Sequence, residues 1–125
     1  MLIHPQRRRK TAEDAVKFLV NDEKGRVFLT SMVACLFARS VYTDEVLGNC
    51  LRSVGYGTLA DNMDAVAGGI QKLRWQMRIS TGYQPEHISI PKRFSEITTW
   101  KGPIDGAFMA NLKDEYSGRI LEMAG

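Results

Sequence analysis

A regular stripe of apolar residues between positions 58 and 77 constrains the fold more than any other feature of the sequence. The apolar positions recur at alternating spacings of four and three residues, the repeat expected of one face of an α-helix. The stripe consists of Leu59, Met63, Val66, Ile70, Leu73 and Met77. Thr58 and Asp61 resemble a capping box at its start. Because such a face packs against neighbouring helices, the pattern predicts a helical bundle.

Four further segments are predicted to be helical. Thr11 is the expected cap of the first, and residues 21–25 are predicted to form the turn that follows it. The second segment is apolar on nearly all sides and is therefore predicted to be deeply buried. Thr43 and Gly55 are predicted to mark the start and the end of the third. The four segments span residues 11–20, 26–40, 43–55 and 105–123.

Residues 82–105 lack helical periodicity. Prolines and glycines interrupt this stretch at Gln84-Pro85, Pro91 and Gly102-Pro103, which is typical of an extended connection. The predicted fold class is therefore all-α, an irregular bundle of about five helices with one long Pro-containing connection. We expect a basic N-terminal leader over residues 1–10 and one helical domain over residues 11–125.

The pair Gly68-Gly69 interrupts the striped helix. Each glycine costs roughly 1 kcal/mol relative to alanine in a helix interior. Close approach of another helix or of a ligand would explain the pair, and a poorly optimised helix would explain it equally well.

Composition limits the class of protein. The chain has 125 residues, of which 44% are hydrophobic and 25% charged, and this composition is that of a soluble globular domain. No apolar run approaches the roughly 20 residues of a membrane span, and the N-terminus lacks the apolar core of a signal peptide. We therefore expect a cytoplasmic protein with no membrane partner.

Positive charge is concentrated at the N-terminus. Arg7, Arg8, Arg9 and Lys10 contribute more than the whole net charge of +3. Such a cluster is more typical of a solvated leader than of a nucleic-acid interface, and the remaining sequence has no general basic patch. Nucleic-acid binding is therefore not favoured.

The two cysteines, Cys35 and Cys50, are far apart in sequence and show no zinc-binding spacing. Cys35 lies in the apolar run Leu29–Arg39, where a cysteine ordinarily behaves as a small hydrophobic residue. The chain cannot supply the four thiolates of a cubane iron–sulfur cluster by itself.

The chain is similar, from roughly Asp14 to Phe94 and more loosely beyond, to the C-terminal region of the tungsten-dependent aldehyde:ferredoxin oxidoreductases, and two short segments carry the resemblance. The family pattern Asp-x-x-Gly-Leu-Cys, followed by an apolar segment with phenylalanine, aligns with Thr30-Ser31-Met32-Val33-Ala34-Cys35 and then Leu36-Phe37. The cysteine matches, whereas Thr30 stands where the family has aspartate. The segment Ile90-Pro91-Lys92-Arg93-Phe94 resembles the family's Leu-Pro-x-Arg-Phe.

This resemblance implies specific roles for four residues. Cys35 would be a ligand of a [4Fe–4S] cluster, and Thr30, Ser31 and Ala34 would lie beside a tungstopterin or molybdopterin. A threonine hydroxyl is a neutral and weaker acceptor for pterin amino groups than the carboxylate it replaces. No catalytic residue is implied in this chain. Residues 90–94 are more typical of a structural role than of substrate contact, so Phe94 is expected in the core and Arg93 in an ion pair with a carboxylate.

The resemblance also implies a larger enzyme. The chain would be a C-terminal fragment or subunit that requires a catalytic N-terminal region or a partner subunit. The complete enzyme would oxidise aldehydes or related carbonyl compounds and pass electrons to a ferredoxin. On its own the chain would be inactive.

An alternative reading is a stand-alone helical binding module. The turn Gly55-Tyr56-Gly57 between two predicted helices suits a helix-turn-helix, and Lys72, Arg74 and Arg78 could contact phosphates. The long, continuous apolar stripe of the fourth helix is more typical of a bundle core. A structural remnant without any cofactor is a third possibility.

Overall fold

The computed structural model describes residues 11–100 and 102–125, and the regular structure in these ranges is almost entirely helical. The α-helices are α1 (Ala12–Ser31), α2 (Asp44–Ser53), α3 (Gly57–Asp61), α4 (Met63–Ser80), α5 (Arg93–Glu96) and α6 (Gly106–Ala124). Single 3₁₀ turns occur at Leu36–Ala38 and Pro85–His87, and β1 (Thr98–Thr99) pairs with β2 (Gly102–Pro103) in an antiparallel ribbon. The predicted all-α fold is confirmed. The leader predicted over residues 1–10 lies outside the described residues.

Helices α1, α4 and α6 pack against one another and form the main bundle. Val16 of α1, Trp75 of α4 and Ile120 of α6 are among its buried side chains. A second buried cluster joins the C-terminal half of α1 to α2 and α4; it consists of Phe28, Leu29, Leu47 and Ala67. Helices α1 and α4 therefore contribute to both parts of the core.

Helix α1 is longer than its sequence pattern predicts. Thr11 caps it as expected, since its hydroxyl accepts a hydrogen bond from the Asp14 backbone N–H at 3.1 Å. The turn predicted at residues 21–25 is wrong, because the helix continues through Gly25 to Ser31. An i,i+4 ion pair of Asp22 with Arg26 spans this segment at 2.6 Å, and Glu23 contacts α4. These contacts offset the poor helix propensity of the segment.

The predicted helix over residues 26–40 is also wrong in its second half. The hydroxyls of Thr30 and Ser31 donate to the Val27 carbonyl at 3.0 and 2.8 Å, a back-bonding pattern that competes with a regular helix. The loop itself satisfies the last carbonyls, because the Ala34 N–H donates to Leu29 at 3.2 Å. Beyond this point the run is not deeply buried, and Val33 is 94% exposed.

Helix α2 follows the sequence prediction closely. The Thr43 hydroxyl accepts the Val46 N–H at 3.3 Å. The helix ends before Gly55, whose positive φ of 91° suits the left-handed turn that terminates many helices. Leu47 and Leu51 are the buried apolar side chains of this helix.

The predicted fourth helix is divided in two. The backbone departs from helical geometry at Asn62, where φ is −119° and the side-chain amide donates to the Thr58 carbonyl at 2.8 Å. Thr58 and Asp61 do not form the predicted capping box, because α3 already begins at Gly57 and its N-cap residue, Tyr56, makes no side-chain cap hydrogen bond. The helix cannot run straight through this point, because the Thr58 carbonyl bonds a side chain instead of continuing the backbone ladder.

The buried face of α4 agrees with the predicted stripe only in its first half, where Met63, Val66 and Ile70 pack against the core. Leu73 and Met77 are 57% and 61% exposed, whereas Ala67, Gln71 and Trp75 are buried. The polar atoms of Gln71 and Trp75 tolerate burial because they hydrogen-bond to α1. A hydrophobicity count alone could not identify this face.

The Gly68-Gly69 pair and Phe94 both lie away from close packing in the described structure. An added Cβ at Gly68 or Gly69 meets no described atom within 4 Å, so close approach of a described helix does not explain this pair. Phe94 is half exposed instead of lying in the core, and the ion pair in its segment joins Lys92 to Glu96 at 3.5 Å. Residues 91–100 are all exposed, which leaves Phe94 with no core to enter.

Candidate functional site

Cys35 lies in an exposed loop with an unusual backbone. Val33 has a φ of 56°, in the left-handed region that β-branched residues rarely adopt. Cys35 precedes the 3₁₀ turn, and its carbonyl accepts the Ala38 N–H at 3.1 Å. Its thiol side chain is exposed, and Phe37 is 95% exposed. The loop between α1 and α2 therefore presents a thiol between two solvent-exposed apolar side chains.

The three residues predicted beside a pterin do not all lie together. Thr30 and Ser31 face an open cleft, whereas Ala34 packs against the hydrophobic core. The Ala34 N–H is already bonded to the Leu29 carbonyl. Ala34 therefore belongs to the turn that ends α1, and its side chain is not part of the cleft lining.

The cleft has a volume of about 780 Å³, within the range of ligand-binding cavities. It lies where α1 meets α4 and α6, beside the 3₁₀ turn that follows Cys35. The apolar part of its lining is Leu19, Val27, Leu36 and Ile70, and the polar part is Asp22, Glu23, Arg26, Thr30, Ser31, Arg74 and Tyr116. Two carboxylates and two guanidinium groups in this lining balance each other in charge.

Glu23 organises the floor of the cleft. Its Oε2 accepts hydrogen bonds from Gln71 Nε2 at 3.0 Å and Trp75 Nε1 at 3.2 Å, while Arg74 pairs with Oε1 at 3.1 Å. The same Gln71 nitrogen donates to the Val20 carbonyl at 2.9 Å. The carboxylate side chain is only 17% exposed. This network fixes α4 against α1 and leaves Glu23 little capacity to bind anything else.

Tyr116 of α6 completes the cleft. Burial, reinforced by the negative charge of Glu23, raises the pKa of the Tyr116 phenol to about 12. The phenol therefore stays protonated at neutral pH and can donate a hydrogen bond. Among the described residues none forms a hydrogen bond with the Tyr116 hydroxyl.

The residues of the cleft network are the functional candidates that sequence reasoning missed. Glu23 falls in a segment predicted to be a turn, and Tyr116 lies within the last predicted helix, over residues 105–123, with no role assigned to it. The one feature of the sequence that could have pointed to this network is the four-residue spacing of Ala67, Gln71 and Trp75, which places their side chains on one face of the helix. That spacing indicates a buried polar contact but does not identify its partner.

The described ranges contain no group of three or more histidine, cysteine or acidic side chains that could hold a metal ion. Cys50 is exposed, as is Cys35. A cluster bound at either cysteine would therefore need ligands from another polypeptide region.

The geometry of α3 and α4 does not favour a helix-turn-helix. The helix after the Gly55-Tyr56-Gly57 turn has only five residues. Arg74 pairs with Glu23, and the Arg78 guanidinium lies 5.0 Å from the Trp75 ring centroid and 4.8 Å from that of Tyr83. Two of the three basic side chains suggested for phosphate contacts therefore have partners within the chain.

Comparisons with known proteins found no relative of this chain. No family model matches the chain, and no match was found among the curated proteins or the solved structures. No helix in residues 11–100 or 102–125 is both long enough and apolar enough to cross a membrane.

Proposed function

We propose that this chain is the helical component of a pterin-dependent, iron–sulfur oxidoreductase, with tungsten or molybdenum as the metal. In the complete enzyme, Cys35 contributes one thiolate to a [4Fe–4S] cluster. The catalytic N-terminal region or a partner subunit contributes the remaining ligands and most of the pterin site. The enzyme oxidises aldehydes or related carbonyl compounds, with a ferredoxin as electron acceptor.

The observation that carries this proposal is the exposure of the Cys35 loop. A cysteine that acts only as a small hydrophobic residue is ordinarily buried, but the Cys35 side chain is exposed. The flanking Val33 and Phe37 are 94% and 95% exposed. Large apolar side chains in such a position are typical of a surface that another polypeptide covers. A thiol at the centre of that surface is accessible to a cluster held by the covering region.

The residues of this chain fit a shared cluster and do not fit a self-contained one. A cubane cluster takes four thiolates, and the sequence has two cysteines. Bound at the interface, the cluster would supply one-electron transfer out of the metal centre. The contribution of this chain would be one ligand and an apolar wall of Val33 and Phe37, which would exclude water from the cluster and tune its potential.

The proposal is tested by metal analysis of the native protein, purified anaerobically through this chain. We expect iron together with tungsten or molybdenum, and a larger co-purifying polypeptide. Cys35→Ala should lose most of the iron, whereas Cys50→Ala, which removes the other exposed thiol, should retain it. Native protein without iron, or equal iron in the two variants, would refute the assignment.

A further inference from the structure

Arg78 is a cation that the surrounding side chains hold in place without neutralising it. Its guanidinium carbon lies 5.0 Å from the centroid of the Trp75 ring and 4.8 Å from that of the Tyr83 ring. Aromatic faces attract and orient a guanidinium group, but they remove none of its charge. Among residues 11–100 and 102–125, no carboxylate forms an ion pair with Arg78. Its charge is therefore available to a ligand.

A second arginine and a phenol lie beside Arg78. Arg74, one turn earlier on α4, uses Nη1 to pair with the Glu23 carboxylate at 3.1 Å. Tyr116 of α6 lines the cleft together with Arg74, and no described residue bonds its hydroxyl. Burial is the main cause of the raised pKa of Tyr116, and the charges of Arg74 and Arg78 both oppose it. Both cations therefore lie near the phenolic O–H.

The cleft changes from apolar to cationic along α4. Ile70, Arg74 and Arg78 are spaced four residues apart, so their side chains follow one another along one side of the helix. Ile70 and Arg78 are separated by roughly 12 Å of helix. At the Ile70 end, Val27 and Leu36 complete an apolar wall. A ligand that lies along the cleft therefore meets hydrocarbon at one end and hydrogen-bond donors at the other.

We infer that the cleft binds an amphipathic monocarboxylate, whose carboxylate meets Arg78 and Tyr116 and whose apolar body lies along Ile70. A planar guanidinium group can donate two parallel hydrogen bonds to a carboxylate, and the phenol supplies a further donor. Because Arg74 and Glu23 neutralise each other, one positive charge remains at this end. One charge suits a carboxylate better than a phosphate group, which carries about two negative charges. None of these residues is a ligand of the proposed cluster, so the inference does not depend on the proposed function.

The experiment is isothermal titration calorimetry of the full chain with octanoate as the probe. We expect saturable binding of octanoate. Acetate keeps the carboxylate but lacks the apolar body, so it should bind at least about tenfold more weakly. Octanol keeps the body but lacks the charge, and it should also bind at least about tenfold more weakly. Inorganic phosphate should bind more weakly than octanoate, because it offers no apolar surface to the cleft.

Two variants test the residues named. Arg78→Gln removes the charge from an exposed side chain, so the affinity for octanoate should fall about tenfold or more, the value of a charge-assisted hydrogen bond. Tyr116→Phe keeps the ring and removes only the hydroxyl, and its affinity should fall about fivefold. Lys72→Gln is the matched control, because it removes one exposed positive charge from the same helix outside the cleft lining. It should bind octanoate as the wild type does.

Four results would overturn the inference. The first is the absence of saturable octanoate binding to the wild type. The second is an equal affinity for octanoate in the wild type, Arg78→Gln and Tyr116→Phe. The third is an equal loss of affinity in Arg78→Gln and Lys72→Gln, which would reduce the effect to overall charge. The fourth is binding of inorganic phosphate or of octanol as tight as that of octanoate, since the cleft would then recognise only an oxyanion or only a hydrocarbon chain.

Discussion

Val33→Gly should stabilise the protein, although it removes an apolar side chain. Val33 has a φ of 56°, and a residue with a Cβ is about 1–2 kcal/mol less stable in the left-handed region than in the right-handed one. Glycine removes this strain but loses about 0.5–1 kcal/mol more conformational entropy on folding. The side chain is 94% exposed, so hardly any packing is lost. The free energy of unfolding should therefore rise by about 0.5–1 kcal/mol.

The assay is urea unfolding followed by circular dichroism, with a thermal melt as a second readout. The gain corresponds to an increase in Tm of roughly 2–4 °C for a domain of this size. Val54→Gly is the matched control, because Val54 is 67% exposed but has a φ of −103°. With no strain to relieve, that variant should lose about 0.5–1 kcal/mol. Equal destabilisation by the two glycines would show that Val33 carries no strain and would refute the reasoning.

Three further predictions follow from the described contacts. Glu23→Ala should lower the free energy of unfolding by about 2–3 kcal/mol, because Gln71 and Trp75 lose their acceptor. The control Glu13→Ala removes an exposed ion pair with Lys17 and should cost less than about 1 kcal/mol. Similar losses for the two variants in urea unfolding would contradict the role of Glu23. Gly69→Ala should raise the stability by about 0.5–1 kcal/mol, since an added Cβ meets no described atom within 4 Å, and a loss in thermal melts would point to an unseen contact at this site. The pKa of Tyr116 is raised from 10.0 to about 12 in the folded protein, so the unfolded chain releases this proton first and stability should fall between pH 10 and pH 12. Tyr116→Phe should flatten that part of the stability profile measured by urea unfolding, and an unchanged profile would contradict the assignment.

Local signals in the sequence predicted those parts of the fold that depend on neighbouring residues. Thr43 and Gly55 delimit α2 as expected, and α6 begins next to its predicted start at residue 105, where Asp105 accepts the Ala107 N–H at 2.9 Å. Caps and helix-ending glycines act within one turn, so their effect can be inferred without knowledge of the fold. The helical periodicity of the five segments likewise predicted the all-α class.

The errors occurred where distant contacts outweigh local propensity. Residues 21–25 look like a turn, but Glu23 is bonded to residues about fifty positions away on α4. Gln71 and Trp75 are buried with these bonds, whereas Leu73 is exposed, so the predicted face fails in the second half of α4. Periodicity cannot identify a buried polar network, because each member is tolerated only when its partner is present.

The same distinction between local and distant information applies to the candidate site. From the sequence alone, Cys35 and the residues that precede it could be proposed as neighbours of a cofactor, because side-chain identity is a property of the chain. Only the tertiary structure decided that Cys35 is exposed, that Ala34 faces the core, and that Thr30 and Ser31 share a cleft with Tyr116. Tyr116 lies more than eighty positions from Thr30 in the sequence. The packing of α6 near the end of α1 brings them together, and that packing depends on surfaces whose complementarity cannot be read from either segment alone.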